Sequence, residues 1–439
     1  MSLARRSPCP SGSGSCASDV QRASVPKQRR EPASGERAAG NRRDSLHSFT
    51  RNILIHRIRT ALVACTLGAA ALAVSAQVNI GFIGTLSGPG AALGQEQYDG
   101  FMLAVQQRQG MLGGVPVAVL KEDDQHNPER GAQLVQNLIE KDKVSFITGV
   151  TFSDVMMAMA KPMARAGMLF VGSNAGPAPI AGKQCNTRFV FASYQDEYQA
   201  GIVGRYAVDK GYWKTLFIAP DNAAGKDQLR GFKRYYSGEV VSEINVKPDQ
   251  TDYAAALAQI QRVAPDAVVA FLPGDMGVNF IQQMNRSGLL SKVPLLTVGT
   301  VDGTTLPLLK DAALGVVAGA VWGPDLPSPT SKAFVAAFEK KHGRIPSQYA
   351  AQGFDAALLI DSALKETKGS VADRGALRNA LNAADFASVR SGFKFLRNGF
   401  PVQDGHIFVV AKDTQGRTSL KRIATPLEAN PDGYWNDCR

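Results

Sequence analysis

From Gln77 onward the chain repeats one pattern and then starts it over: a short β-branched run, a loop bearing glycine, then a stretch with helical apolar spacing. Val78–Gly84, Val115–Glu122, Val144–Thr148 and Met168–Gly172 read as strands. Helical patterns over Gly94–Arg108, Pro128–Lys141 and Ser153–Arg165 separate them. Strands that alternate with helices in this way form a parallel sheet covered on both faces. The second series has strands at Arg188–Ala192, Lys214–Ala219, Glu239–Val246, Ala267–Leu272, Val293–Val298 and Gly315–Val321. Helices at Glu197–Lys210, Gln228–Tyr236, Tyr253–Arg262 and Val278–Ser287 alternate with them. Two series of similar size predict an α/β chain of two similar lobes, each with its own core, and 439 residues are too many for one ordinary core. Three further helices follow at Ser331–His342, Tyr349–Thr367 and Ala376–Ala383, then strands at Gly392–Leu396 and His406–Val410, then a polar tail.

The segment before Gln77 has a different character. Residues 1–50 are rich in Ser, Arg, Pro and Gly and lack apolar periodicity, so they cannot bury enough surface to fold. Arg51, Arg57 and Arg59 then precede an apolar run from Thr60 to Val74 and the small residues of Val74-Ser75-Ala76. That order describes a secretory signal peptide over 51–76, cleaved near Ala76, and the run is short for a membrane span. Residues 1–50 are either a disordered extension or a misassigned translation start.

The charge follows the same division. The whole chain carries 49 Lys and Arg against 38 Asp and Glu. Residues 1–59 hold 12 and 4 of these, so the body carries only about +3 and gives no basic surface for nucleic acid. After cleavage only Cys185 and Cys438 remain, and two cysteines in an exported body predict one disulfide. His126, His342 and His406 show no ligand spacing with one another or with either Cys, so no metal site is expected. A GxSxG elbow, an HExxH and a P-loop GK[ST] are all missing, and no cofactor or catalytic set is expected.

In open parallel sheets ligands bind at the carboxyl ends of the strands, so the exit loops are the candidate site. Gly84–Gly94 is glycine-rich and opens a helix, which suits an anion. Gly149–Asp154 places Ser153 at a helix start, where it serves as an N-cap, as a ligand to a carboxylate, or as both. Gly172–Pro177 offers Asn174, Ala175 and Gly176 for close backbone approach. In the second series Pro220–Gly225, Pro273–Gly277 and Gly299–Gly303 repeat the theme of glycine beside a small polar group. Asp123 and Asp124 end a strand; capping of the Pro128 helix or a solvent-facing role is the expectation over acid–base work.

Several of these stretches together resemble the leucine/isoleucine/valine-binding family, the type I periplasmic binding proteins of ABC importers. They are Val78–Gly84 followed by Leu86-Ser87-Gly88-Pro89, Asp123-Asp124 with Asn127-Pro128, Ile147-Thr148-Gly149 before Ser153, and Gly353-Phe354-Asp355 in a late helix. The likeness spans Gln77–Cys438. It implies two Rossmann-like lobes joined by three hinge strands, near Ser193–Asp196, Trp322–Asp325 and before His406. Residues 77–195 with 325–390 then make one lobe, and 196–324 with 391–439 the other. It also implies ligand contacts at Leu93, Ser153, Asn174, Ala175, Gly176, Asn222, Gly274, Asp275 and Thr300. Amino-acid binders of the family place a carboxylate after the Val293 strand; here Thr300 and Val301 stand nearest and Asp302 is offset. Gly182-Lys183-Gln184-Cys185 and the late Cys438 look more like members that take aromatic or other organic carboxylates. The resemblance therefore implies a monomeric periplasmic receptor for a small carboxylate, aromatic acids ahead of branched-chain amino acids with Asp275 or Asp302 as the route to the latter. It would hand its ligand to importer permease subunits in the inner membrane and would not be an enzyme. A sensory module of the same fold and an exported α/β enzyme are the alternatives.

Overall fold

The computed structural model describes residues 77–390 and 392–438. The expected signal peptide over 51–76 and the expected extension before it lie outside the described residues. The first sheet is built from β1 (Val78–Gly84), β2 (Met111–Leu112), β3 (Val115–Asp123), β4 (Phe146–Gly149), β5 (Leu169–Gly172) and β6 (Phe189–Phe191) in the order β2-β3-β1-β4-β5-β6. All pairings are parallel except β2 with β3. Helices α1 (Ala91–Gln107), α2 (Pro128–Glu140), α3 (Ser153–Arg165) and the short α4 (Ala178–Ala181) connect its strands. With a helix layer on each face, β4 and β5 are buried at every residue, which is why they read as unbroken apolar runs.

The second sheet has eight strands. β7 (Lys214–Pro220), β8 (Glu239–Val246), β9 (Ala267–Ala270), β10 (Leu295–Val298) and β11 (Val317–Ala320) run parallel in the order β11-β10-β9-β7-β8. β12 (Lys394–Phe395), β13 (Pro401–Lys412) and β14 (Thr418–Asn430) add antiparallel pairs at the other edge. Helices α5 (Glu197–Asp209), α6 (Ala223–Tyr235), α7 (Ala254–Val263), α8 (Asp275–Arg286) and the short α9 (Leu306–Leu309) belong to this half.

Three details differ from the sequence reading. The strand at Arg188–Ala192 begins no second series; as β6 it pairs with β5 and completes the first sheet. The strand expected at Gly392–Leu396 shrinks to the two residues of β12. The polar tail is largely the 13-residue β14, an edge strand whose Lys421, Arg422, Pro426 and Glu428 give it the composition of a loop.

The chain returns to the first lobe through α10 (Pro329–His342), α11 (Gln348–Glu366) and α12 (Arg374–Ala383). α11 lies against α1 with no room between backbones. A Cβ on Gly100 would stand 1.9 Å from the Ala350 carbonyl, and one on Gly353 2.0 Å from that of Gln97. Glu96 adds polar pins, accepting from Ser347 N at 2.9 Å and from Arg344 Nε at 2.6 Å. Gly353→Ala must push the helices apart, and urea unfolding is expected to show a loss of about 1–3 kcal/mol. The loss in Gly100→Ala/Gly353→Ala should fall short of the sum of the singles, because both relieve the same close approach.

Three crossings join the lobes. One follows β6, one lies between β11 and α10, and the third leads from α12 to β13. Arg390 ties the first and third together. Its guanidinium donates to the carbonyls of Ala192 and Ser193 and to Gln403 Oε1 at 2.8–2.9 Å, and Nε reaches Asp355 Oδ2 at 3.2 Å. Asp355, from the Gly353-Phe354-Asp355 stretch, also accepts from Ser388 Oγ and Val389 N. The end of the chain comes back to the first lobe as well. Phe400 stacks on Phe191 at 3.9 Å, and Cys438 forms a disulfide with Cys185, 253 residues earlier.

Candidate functional site

Each sheet reverses its strand order at one place, and there the exit loops diverge and leave a crevice. In the first sheet the reversal lies at β1, flanked by β3 and β4; in the second at β7, flanked by β8 and β9. The loops after β1 and β4 meet those after β7 and β9 around a cleft of about 230 Å³. Its lining includes Leu93, Thr151, Phe152, Ser153, Asn174, Tyr194 and Asp196 on one side, and Asn222, Gln228, Phe271, Asp275, Met276 and Asn279 on the other, with Tyr349 from the start of α11. The lips approach closely, since a Cβ on Gly274 would lie 3.7 Å from Leu93 Cδ1.

Five of the expected contacts therefore share one cleft: Leu93, Ser153, Asn174, Asn222 and Asp275. The other four are not among its lining residues. The Ala175 amide donates to the Val150 carbonyl and that of Gly176 to Asp196 Oδ1. Gly274 supplies the positive φ (64°) at the N-cap of α8 and faces Leu93 across the lips. Thr300 is fully buried, and its Oγ1 receives the Leu272 amide at 2.8 Å. It staples the ends of β9 and β10, one strand beyond the reversal. Asp302 is also off the cleft. It accepts from the Thr304 amide and hydroxyl and lines a second cavity, beside Trp322 and Arg344.

The loop after β4 carries backbone strain. Gly149 has φ 103°, and a Cβ there would sit 2.1 Å from the Ile83 carbonyl. Val150 adopts φ 68°, which a β-branched residue takes up only under constraint. Its amide donates to the Ile83 carbonyl at 2.7 Å and its carbonyl receives Ala175, so two neighbouring strands hold the turn. This turn aims Thr151, Phe152 and the amino end of α3 at the cleft.

Ser153 does not cap α3; Phe152 occupies the N-cap position without a side-chain bond. The Ser153 hydroxyl instead pairs with Asp196 Oδ2 at 2.5 Å. Asp196 is 5% exposed and sits on the first crossing. Burial pushes its carboxyl up to about 7, against the pull of the Ser153 and Gly176 hydrogen bonds. Asn174 spans the floor, donating to the Thr151 carbonyl at 2.7 Å and accepting from Tyr194 Oη at 3.2 Å. Asn222 caps α6, its side chain accepting from the Gly225 amide at 2.9 Å.

Asp123 and Asp124 neither face solvent idly nor cap the Pro128 helix, which Asn127 caps. They shape the loop after β1. Asp124 Oδ1 receives Thr85 Oγ1 at 2.6 Å, and Asp123 receives the Leu86 amide and the Ser87 hydroxyl. The turn they support puts His126 at φ 53°, where its ring stacks on Phe152 at 3.8 Å and Nε2 lies 3.5 Å from Asp154. The Asp154 hydrogen bond raises the imidazole above its ordinary value.

Sequence reasoning missed Phe152, His126, Tyr194, Asp196, Phe271 and Tyr349 as cleft residues. Phe152 and Phe271 abut glycine-bearing exit loops and could have been read from that position. Tyr349 had no such signal, because it comes from a helix entering from beyond the second lobe. No group of His, Cys, Asp and Glu with metal-site geometry occurs among the described residues.

Two lobes closing strand-end loops over one small cleft define a ligand-binding protein of the two-lobed α/β kind. The chain belongs to the periplasmic binding protein family, whose model matches residues 77–415. A curated relative, Leu/Ile/Val-binding protein homolog 6 of Brucella suis biovar 1, is 28% identical over 291 residues, covering 65% of this chain and 74% of its own length. Among solved structures, an ABC-transporter solute-binding protein from R. palustris in complex with benzoate superposes with a TM-score of 0.77 at 29% identity, covering 82% of this chain and 98% of its own. One from Rhodopseudomonas palustris BisB5 in complex with 3,4-dihydroxybenzoic acid reaches 0.75 at 29% identity, covering 81% and 99%.

Proposed function

We propose that the protein is the periplasmic substrate-binding component of an ABC importer and captures an aromatic carboxylate by hinge closure. The observation that carries this reading is the composition of the cleft. Rings of Phe152, Tyr194, Phe271 and Tyr349 surround a space beside the Ser153 hydroxyl and the amino end of α3. Flat apolar walls suit a benzene ring, and a helix amino terminus with a hydroxyl suits a carboxylate. The protein acts as a monomer, holds its ligand at the reversal points of both sheets, and presents the closed form to permease subunits. The benzoate- and dihydroxybenzoate-bound neighbours support the aromatic class.

The Leu/Ile/Val-binding names of the curated relatives favour a second reading, a branched-chain amino acid. An ammonium would then need a carboxylate facing it. Asp302 does not line the cleft, which leaves Asp249 and Asp275 on the second-lobe side and Asp196 at the hinge. Titration calorimetry of the mature protein against benzoate, 4-hydroxybenzoate and leucine separates the readings. Binding of the aromatic acids with no heat from leucine is expected; tight leucine binding with silence toward both acids overturns the proposal. Ser153→Ala should weaken benzoate binding at least tenfold, the usual loss when a hydrogen bond to a charged group is removed.

A further inference from the structure

Ser153 has one hydroxyl proton, and the structure shows where it is contested. Its oxygen lies 2.5 Å from Asp196 Oδ2, and the other carboxyl oxygen receives the Gly176 amide at 2.8 Å. When Asp196 is ionised, the serine must donate to it. Ser153 then offers only lone pairs to the cleft, with a negative charge directly behind them. A ligand carboxylate arriving there meets an acceptor and a like charge. When Asp196 is protonated the polarity reverses: the acid donates to Ser153 Oγ, and the serine proton is free to point at the ligand.

The surroundings do not relieve this conflict with a counter-ion. Among the described residues no ion pair involves Asp196. The nearest charges are acidic. Asp227 and Glu197 both push the Asp196 carboxyl upward in the same direction as burial. The cations close by are committed elsewhere: Arg230 to Asp227 and Glu197, Arg234 to Glu197, and Tyr434 donates to Glu197 as well. From the remaining elements, Tyr194 on the same crossing, His126 on the Ser153 side, Asp249 and Asp275 across the cleft and Tyr349 from α11 are the other titratable groups that line the cleft.

Resting on the aromatic-acid reading above, we propose that Asp196 is a specificity-determining residue whose protonated form admits the aromatic carboxylate, so that each anion is bound together with one proton taken from solvent. Charge is conserved in the site: the ligand brings one negative charge, and the proton on Asp196 removes another. Asp196→Asn reproduces the protonated form, since its oxygen can keep the Gly176 amide while its NH₂ donates to Ser153 Oγ.

The test has a ligand-free arm and a ligand arm. In the ligand-free protein the Gly176 amide resonance should titrate between about pH 5 and about pH 9 in wild type and lose that step in Asp196→Asn. With benzoate as probe, wild-type affinity should fall about tenfold per pH unit above the Asp196 titration, and calorimetry in two buffers should show one proton taken up. Asp196→Asn should bind benzoate with an affinity that no longer falls. His126 titrates in a sense that also favours anions at low pH, so His126→Asn is the control and should keep the wild-type slope. A Gly176 amide that does not titrate overturns the proposal, and so does a slope that survives in Asp196→Asn or vanishes in His126→Asn. Silence toward benzoate at every pH in both proteins overturns the aromatic-acid reading and this proposal together, whereas a flat profile in a wild-type protein that does bind overturns this one alone.

Discussion

Arg390→Met should lower the unfolding free energy by about 3–5 kcal/mol, the range measured when one partner of a buried ion pair is removed. The side chains of Arg390 and Asp355 are 1% and 0% exposed, so neither can turn to water when the other is lost. Methionine fills much of the volume, which separates the charge effect from a cavity effect. It leaves Asp355 with Ser388 and Val389 as donors and no cation, and it strips the carbonyls of Ala192 and Ser193 of their guanidinium. Arg390→Lys keeps the charge but cannot reach four acceptors in one plane, so it should recover only part of the loss. In Asp355→Asn/Arg390→Met the loss should be clearly smaller than the sum of the singles. Urea unfolding of the four proteins checks this; a loss below about 1 kcal/mol in Arg390→Met would show that the clamp does not hold the crossings together.

The second large effect is expected from Cys185→Ser/Cys438→Ser. The bridge closes 253 residues, and on the chain-entropy account such a loop contributes roughly 5 kcal/mol by restricting the unfolded chain. Domains of this kind are commonly stable by only about 5–15 kcal/mol, so the double variant should unfold at markedly lower denaturant. Some of the anchoring should survive, because the tail has other holds: Asn398 Nδ2 donates to Asp432 Oδ2 at 2.9 Å and the Tyr434 hydroxyl reaches Glu197. Unfolding in urea with and without reductant, on wild type and variant, gives the value. If reduction shifts the wild-type midpoint no further than it shifts the variant's, the bridge contributes nothing.

The fold was legible because the central strands of both sheets are parallel and buried. A strand covered on both faces must be apolar throughout, and a strand–helix alternation repeated twice leaves few other architectures. The same reasoning failed at β14, because an edge strand facing water carries the lysine, arginine and proline of a loop. The site was legible as loops but not as side chains. Strand ends with glycine marked the rim, and five of nine residues named there do line one cleft. Thr300 and Gly176 were named but turn inward: Thr300 Oγ1 receives the Leu272 amide and the Gly176 amide donates to Asp196, partners that no single segment of sequence spells out. Asp196 was visible as part of a hinge, yet nothing in its neighbours along the chain announces that its carboxyl meets Ser153, 43 residues earlier.

The seam between α1 and α11 has a consequence for how the molecule can be completed. The two helices touch backbone to backbone, yet Glu96 and Ser347, which bridge them, are 251 residues apart. An amino-terminal fragment containing the entire first sheet would still lack one of its walls. The half that is synthesised first is therefore sealed late, after five of the eight strands of the other sheet have been made, so the maturation of the two halves is interleaved rather than sequential.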